Sequence, residues 1–203
     1  MPKRFTFFSF HYQRDIWRAT QVRKQWRSRD EASRGANGFF DASLWEKSQR
    51  TNDESLKTLI RNGLKGTSVT CILAGTKTYS RRWVRYEIAQ SIVQGNGLLT
   101  VHIDWLKNSL GKMCDKGPNP LDHMGIYTIS NGAIYLAELD ERGTWIKYSD
   151  YTQQVYLPKP WSAPKVGSLL RLSHYTNEYC YYNDDGSSNI GKWIEKAASQ
   201  VGR

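Results

Sequence analysis

Three short apolar stretches, alternating with helical patterns, constrain the fold of this 203-residue chain more than any other feature. They are Arg4-Phe-Thr-Phe-Phe-Ser-Phe10, Gly66-Thr-Ser-Val-Thr-Cys-Ile-Leu-Ala-Gly75 and Leu98-Leu-Thr-Val-His-Ile-Asp-Trp105. Each is rich in aromatic and β-branched residues, with apolar side chains on both faces, as expected of strands buried in a parallel sheet. Between them run 3.6-residue periodicities. Ile16, Ala19, Val22 and Trp26 form one stripe. Leu56, Leu59 and Ile60 form a second, stopped by Gly63, and Val84, Ile88 and Ile92 a third, stopped by Gly95-Asn-Gly97. Strand–helix alternation at these lengths predicts an α/β fold: a flavodoxin-like parallel sheet with helices on both faces. Ligands of such sheets sit at the carboxyl ends of the strands, so Ser9 to Asp15 are expected to wall a cleft. Asp15 equally suits the start of the first helix, where a carboxylate complements the dipole.

The stretch Ser80-Arg-Arg-Trp-Val-Arg-Tyr-Glu-Ile-Ala-Gln-Ser91 reads as a helix with Ser80 as its N-cap. Trp83 and Glu87 are four residues apart, so the carboxylate lies one turn from the indole at the edge of the apolar seam. The positions three and four residues from Glu87 hold Trp83, Val84, Gln90 and Ser91, none of them a cation. Two readings of Glu87 follow: a carboxylate that complements a helix N-terminus, or a functional group kept without a local ion pair.

Elsewhere the pattern is looser. Residues 27–52 form a long polar connection with Phe39, Phe40, Leu44 and Trp45 as isolated anchors. Lys107 to Asp122 reads as a loop. Ile126–Ala137 predicts a hairpin around Asn131-Gly132, a type I′ signature, and Glu141-Arg-Gly143 a turn before Thr144–Tyr148. Residues 149–187 are rich in tyrosine and proline and give no clear pattern. Ser188 is placed as the cap of a last helix carrying Ile190, Trp193, Ile194, Ala197 and Val201. The domain expectation is therefore 1–125 as the α/β unit and 126–203 as a β-rich C-terminal extension, ending in a helix and packed on the core.

No apolar run approaches the roughly 20 residues that span a bilayer. Met1-Pro-Lys-Arg leads straight into a strand pattern with no signal-peptide core. Three cysteines (Cys71, Cys114 and Cys180) at wide spacing fit reduced thiols. Together these features predict a cytoplasmic protein without a zinc site. HExxH, GxSxG, Walker A and GxGxxG are absent.

Three elements resemble those of TIR domains, specifically the divergent TIR-like family of bacteria and archaea, and within it the TIR proteins of Thoeris antiphage systems. The first is Phe7-Phe-Ser-Phe-His-Tyr with Asp15, similar to the aromatic–Ser–aromatic segment and acidic residue of TIR domains. The second is Gly66-Thr-Ser-Val-Thr-Cys-Ile-Leu ahead of a threonine-bearing loop. The third is Trp83-Val-Arg-Tyr-Glu87, similar to the TIR Trp-Cys-x-x-Glu element. The resemblance covers about residues 4–125. Valine stands where the family has cysteine, residues 27–52 differ from an ordinary BB loop, and the tail from 126 has no counterpart in a minimal TIR domain.

The resemblance implies cleavage of the nicotinamide–ribose bond of NAD and a cyclic ADP-ribose-type second messenger. NAD is then a substrate, and no cofactor or metal is required. Glu87 is implied as the catalytic carboxylate, with Ser9, Phe10, His11, Asp15, Trp83 and Asn119 as substrate-binding residues. The partners implied are NAD, an effector protein reached through a diffusible nucleotide, a phage-derived trigger and a further copy of the chain, with no membrane. Two rivals stay open: a non-enzymatic TIR interaction module, and a nucleoside-processing enzyme on a similar fold.

The net charge of +10 attracts anions of any kind. Its cations are dispersed and no nucleic-acid recognition motif accompanies them, so nucleic acid is not expected as the main ligand. Titrating a duplex of arbitrary sequence should show weak binding that collapses with salt, at a slope of about −0.9 per phosphate contact. NAD binding should fall only modestly. Micromolar duplex binding at physiological salt would reverse that ranking.

Overall fold

The computed structural model describes residues 4–28, 34–36 and 52–203. The polar connection expected over 27–52 and its anchors Phe39, Phe40, Leu44 and Trp45 lie outside the described residues, apart from residues 27 and 28, the strand at 34–36 and residue 52. In chain order the first elements are β1 (Arg4–Phe10), α1 (Tyr12–Ser28), β2 (Arg34–Ala36), α2 (Asp53–Leu64), β3 (Val69–Ala74), α3 (Arg82–Val93) and β4 (Gly97–His102). A second group follows: β5 (Met124–Thr128), β6 (Ile134–Leu139), β7 (Trp145–Lys147) and β8 (Leu169–Arg171). The chain closes with β9 (Asn177–Cys180) and α4 (Gly186–Ser199).

The main sheet is parallel throughout, in the order β2-β1-β3-β4-β9. This is the α/β architecture that the alternation predicts, with helices on both faces. On one face, α1 and α4 cover Phe8, Cys71, Leu73, Leu99, Val101 and Ile103, with Ala19, Val22, Trp26, Ile190, Trp193 and Ile194 filling the layer. On the other, α3 lays Val84, Ile88 and Ile92 over Ile72 and Leu98. Phe7 and Tyr86 meet Leu56, Ile60 and Leu64 of α2 on that side. β3 and β4 are buried along their whole length, as expected of the sheet's central strands.

β5 to β8 form a second, antiparallel sheet in the order β7-β6-β5-β8. Its Met124, Ile126 and Leu136 join the same apolar cluster as Val84 and Ile88 of α3. Ionic contacts add to this seam. The Arg82 guanidinium forks onto Asp150 at 2.8 Å through both Nε and Nη2, and Arg85 Nη1 reaches Glu138 Oε2 at 2.6 Å. The segment expected as one extension thus divides. Residues 124–171 build the second sheet, whereas β9 and α4 complete the main one.

Local expectations are corrected in three places. Ser80 does not cap α3. It ends a 3-10 turn (Thr78–Ser80) and donates to the Lys77 carbonyl, and Arg81 is the N-cap, without a side-chain cap bond. The β5–β6 loop is not type I′, because Gly132 is at φ 83° but Asn131 is not at positive φ. Bonds Gly132 N–H to Ile129 O and Ile129 N–H to Ala133 O mark a three-residue loop with a glycine bulge. The last helix starts at Gly186, two residues before Ser188, behind Asp185 at φ 47°.

A fragment ending at Gly125 loses β9 and α4 as well as most of the second sheet. Each large buried apolar side chain contributes about 1.5–3 kcal/mol, so losing Ile190, Trp193 and Ile194 alone approaches the roughly 5–15 kcal/mol by which a domain is stable. The fragment should aggregate or show no cooperative melt. A soluble, cooperatively melting 1–125 fragment would contradict this account.

Candidate active site

β1 passes directly into α1. The His11 carbonyl accepts the N–H groups of Arg14 and Asp15, so the chain turns into the helix within one residue of the strand. Phe10, His11, Tyr12 and Gln13 are left at the carboxyl end of β1 as one wall of a narrow cleft. The first turns of α3 supply the other wall through Arg81, Trp83, Val84 and Glu87. Because residues three and four apart share a helix face, Trp83, Val84 and Glu87 point the same way.

Glu87 is 5% exposed. Its Oε2 accepts a 2.5 Å bond from the Ser9 hydroxyl, itself buried on β1. Among the described residues, no cation pairs with Glu87. Burial pushes its pKa up to about 8, against the downward pull of the Ser9 bond. Beside it, burial and then Arg81 and Arg14 lower the His11 imidazole to about 4. The cleft therefore holds a neutral imidazole and a carboxyl group that titrates near neutrality. Such a group gains or loses a proton at little free-energy cost and responds strongly to a nearby charge.

Of the residues implied by the family resemblance, Ser9, Phe10, His11, Trp83 and Glu87 are brought together here. Asp15 and Asn119 do not line the cleft. Asp15 is 2% exposed and bound by Arg18 at 3.0 Å, and burial nonetheless holds its carboxyl above the usual range. Arg18 also donates to the carbonyls of Leu106 and Lys112, so the pair fastens the loop after β4. Asp15 lies where a side chain at Gly75 would be: a Cβ there would meet its Oδ2 at 2.4 Å. Asn119 is fully engaged elsewhere. It accepts from Thr100 Oγ1 and Leu121 N–H and donates to Glu178 Oε2, tying β4 to β9. Among the described residues, no three of His, Cys, Asp and Glu converge to hold a metal ion.

The cleft also contains Tyr12, Gln13, Arg81 and Val84, which the sequence reading did not single out. Tyr12 and Gln13 fall within the stretch expected to wall the cleft. Val84 shares the Glu87 face, but as an apolar seam residue it reads only as core.

Residues 7–108 match the family described as Thoeris protein ThsB, TIR-like domain. The chain belongs to this TIR-like family. A Bacillus cereus (strain MSX-D12) protein named "Putative cyclic ADP-D-ribose synthase ThsB1" is 42% identical over 197 residues, 96% of this chain and 100% of that protein. Every residue of the TIR-like cleft lies within the matched stretch, and Asn119 lies beyond it.

The raised pKa has a consequence for stability. Between about pH 4.5 and 8 the folded protein keeps a proton on Glu87 that the unfolded chain has released. Glu87 therefore favours the fold fully at low pH, and this contribution is lost as pH rises to about 8. Melting temperatures from pH 5 to 8 should fall more steeply for the wild type than for Glu87→Gln, whose amide does not titrate. Matching profiles would show that Glu87 ionises in its ordinary range. Ser9→Ala should extend the decline to higher pH.

Proposed function

We propose that the protein is a TIR-family enzyme that cleaves the nicotinamide–ribose bond of NAD and forms a cyclic ADP-ribose-type messenger in antiphage defence. The observation that carries this reading is the buried Glu87 carboxyl group. It is held by Ser9, lacks a partner cation among the described residues and faces a cleft at the carboxyl end of β1. The name of the Bacillus cereus relative supports the same product class.

Breaking the glycosidic bond leaves both bonding electrons on the nicotinamide nitrogen. The cationic pyridinium thus departs as a neutral molecule and needs no general acid, while positive charge develops on the ribose as an oxocarbenium ion. A carboxylate held in a site shielded from water stabilises that charge strongly. Glu87 is this group, and it ionises when the cationic substrate arrives because a positive charge nearby favours the anion. The neutral His11 adds no opposing charge. Phe10 and Trp83 give the flat nicotinamide apolar surfaces to lie against, and Ser9 fixes the carboxylate rotamer. An internal hydroxyl then adds to the anomeric carbon and gives up its proton, for which Glu87, with a pKa near 8, is a suitable acceptor. Water in the same place yields linear ADP-ribose, so a cleft walled by aromatic side chains favours ring closure. The messenger diffuses through the cytoplasm to a separate effector protein.

Asp15 and Asn119 serve this reading from outside the cleft, as positioning residues. Asp15 holds the loop after β4 through Arg18, and Asn119 holds the β4–β9 edge.

Purified protein incubated with NAD and followed by mass spectrometry should release nicotinamide and a product lighter than ADP-ribose by one water. Glu87→Gln should lower turnover at least about 10²-fold while keeping a cooperative melt. In the wild type, kcat/KM should rise with pH and level off above about 8, the Glu87 value in the free protein. Undiminished turnover by Glu87→Gln would sink the assignment. No turnover by either protein with any trigger supplied would leave a non-enzymatic TIR module as the better reading.

A further inference from the structure

Three arginines occupy the start of α3, and they differ in what they bind. Arg82 is committed to Asp150 and, at 2.7 Å, to Asp53. Arg85 is committed to Glu138 and the Tyr79 carbonyl. Arg81, the residue that lines the cleft, makes no ion pair and no side-chain hydrogen bond among the described residues. Lys57 is engaged with Asp150 and Glu54, and Arg61 with Tyr86 and Thr58, whereas Arg14, which also acts on His11, is exposed on α1 and does not line the cleft. An arginine at a cleft beside a carboxyl group, unpaired among the described residues, has guanidinium N–H donors to offer a ligand.

A second observation points the same way. Arg81 is the N-cap of a 12-residue helix, and no side chain caps the first turn. The N–H groups of that turn have no intrahelical acceptor and carry the positive end of the helix dipole, an arrangement suited to phosphate. Arg81 acts electrostatically within the cleft, since it helps to hold the neighbouring His11 imidazole neutral.

We infer that Arg81 binds the diphosphate of the dinucleotide, and so makes the site select dinucleotides over phosphate-free nucleosides. This rests on the proposed NAD reading. Glu87 and Arg81 are six residues apart, so they sit at different depths of one cleft wall. The carboxyl group is buried and faces the part of the substrate that becomes cationic. The guanidinium is partly exposed and faces the part that is anionic. A charged ligand with opposite signs along its length is thereby oriented as well as bound, which is where binding of a remote group helps the chemical step.

The experiment is a binding titration of NAD and of nicotinamide riboside into Glu87→Gln protein with and without Arg81→Gln. Removing Arg81 should weaken NAD roughly 10- to 100-fold, the loss expected for charge-assisted hydrogen bonds. Nicotinamide riboside should bind both proteins equally. Arg81→Lys should restore part of the NAD affinity, because it keeps the charge but not the bidentate fork. Arg142→Gln, on the exposed turn between β6 and β7, should change neither ligand. Thermal melts establish that each variant is folded. Equal NAD affinity with and without Arg81 would overturn the inference while leaving the NAD reading intact. A parallel loss of both ligands would also overturn it, since Arg81 would then shape the cleft and not contact phosphate. Absence of NAD binding to protein that retains Arg81 would overturn both.

Discussion

The structure turns on the burial of α3. Tyr86 through Ile92 are buried without a break, because the main sheet lies under one side of the helix while α2 and the second sheet close on its flanks. A helix enclosed in this way has no solvated side on which a carboxylate at position 87 can rest. Desolvating a carboxylate with one neutral hydrogen-bond donor is costly, and the group responds by binding a proton instead of remaining an ion. The raised pKa of Glu87 is therefore a property of the packing around it, and Ser9 alone opposes it. Ser9 belongs to the row Ser9, Ile72, Thr100 and Glu178 that runs across β1, β3, β4 and β9. The donor thus inherits the rigidity of the central sheet.

The second sheet bears on the site through α3. Arg82 and Arg85 bind Asp150 and Glu138 across the seam between them. The Arg82 pair is half-exposed on its cationic side and adds little free energy, whereas the more enclosed Arg85–Glu138 pair mainly fixes direction. The apolar cluster of Val84, Ile88, Ile126, Leu136, Tyr148 and Val155 supplies the adhesion. Two of the three leading arginines are thereby tied to the second sheet, and the third is left to the cleft. A TIR-like unit without these strands would have to hold the first turn of α3 by other means.

Much of this was legible in the chain. Long buried strands and helices with clean seams announce themselves by period, and the absence of a cation within one turn of Glu87 was visible in the sequence. Less legible were features set by partners distant in sequence. β9 reads Asn-Glu-Tyr-Cys: four residues at a sheet edge with no apolar run, whose strand character comes from pairing with β4. The family resemblance implied Asn119 as a substrate-binding residue, but its amide is consumed by Thr100, Leu121 and Glu178, none of them near in sequence except Leu121. Ser80 had the chemistry of a cap, yet the preceding residues wind into a 3-10 turn. There Gly75 N–H donates to Thr78 Oγ1 and the Ser80 hydroxyl is drawn back to Lys77. Arg81 was missed because its distinction is to be unpaired among the described residues while Arg82 and Arg85 are paired, and sequence does not display pairing.

A cleft this narrow imposes order on the chemistry proposed for it. Glu87 is worth most as an anion while positive charge is on the sugar, and least once the site is empty, when burial favours its neutral form. The substrate therefore brings the charge that switches the carboxyl group on, and departure of neutral nicotinamide leaves the oxocarbenium ion as its counterpart. Water entering then would screen the pair and compete as nucleophile. Residues that exclude it, Phe10, Tyr12, Trp83 and Val84, sustain the electrostatic contact and bias the outcome toward ring closure together. On this view substitutions that open the aromatic wall shift product from cyclic toward linear as they slow cleavage, because both depend on the same dry contact between Glu87 and the ribose.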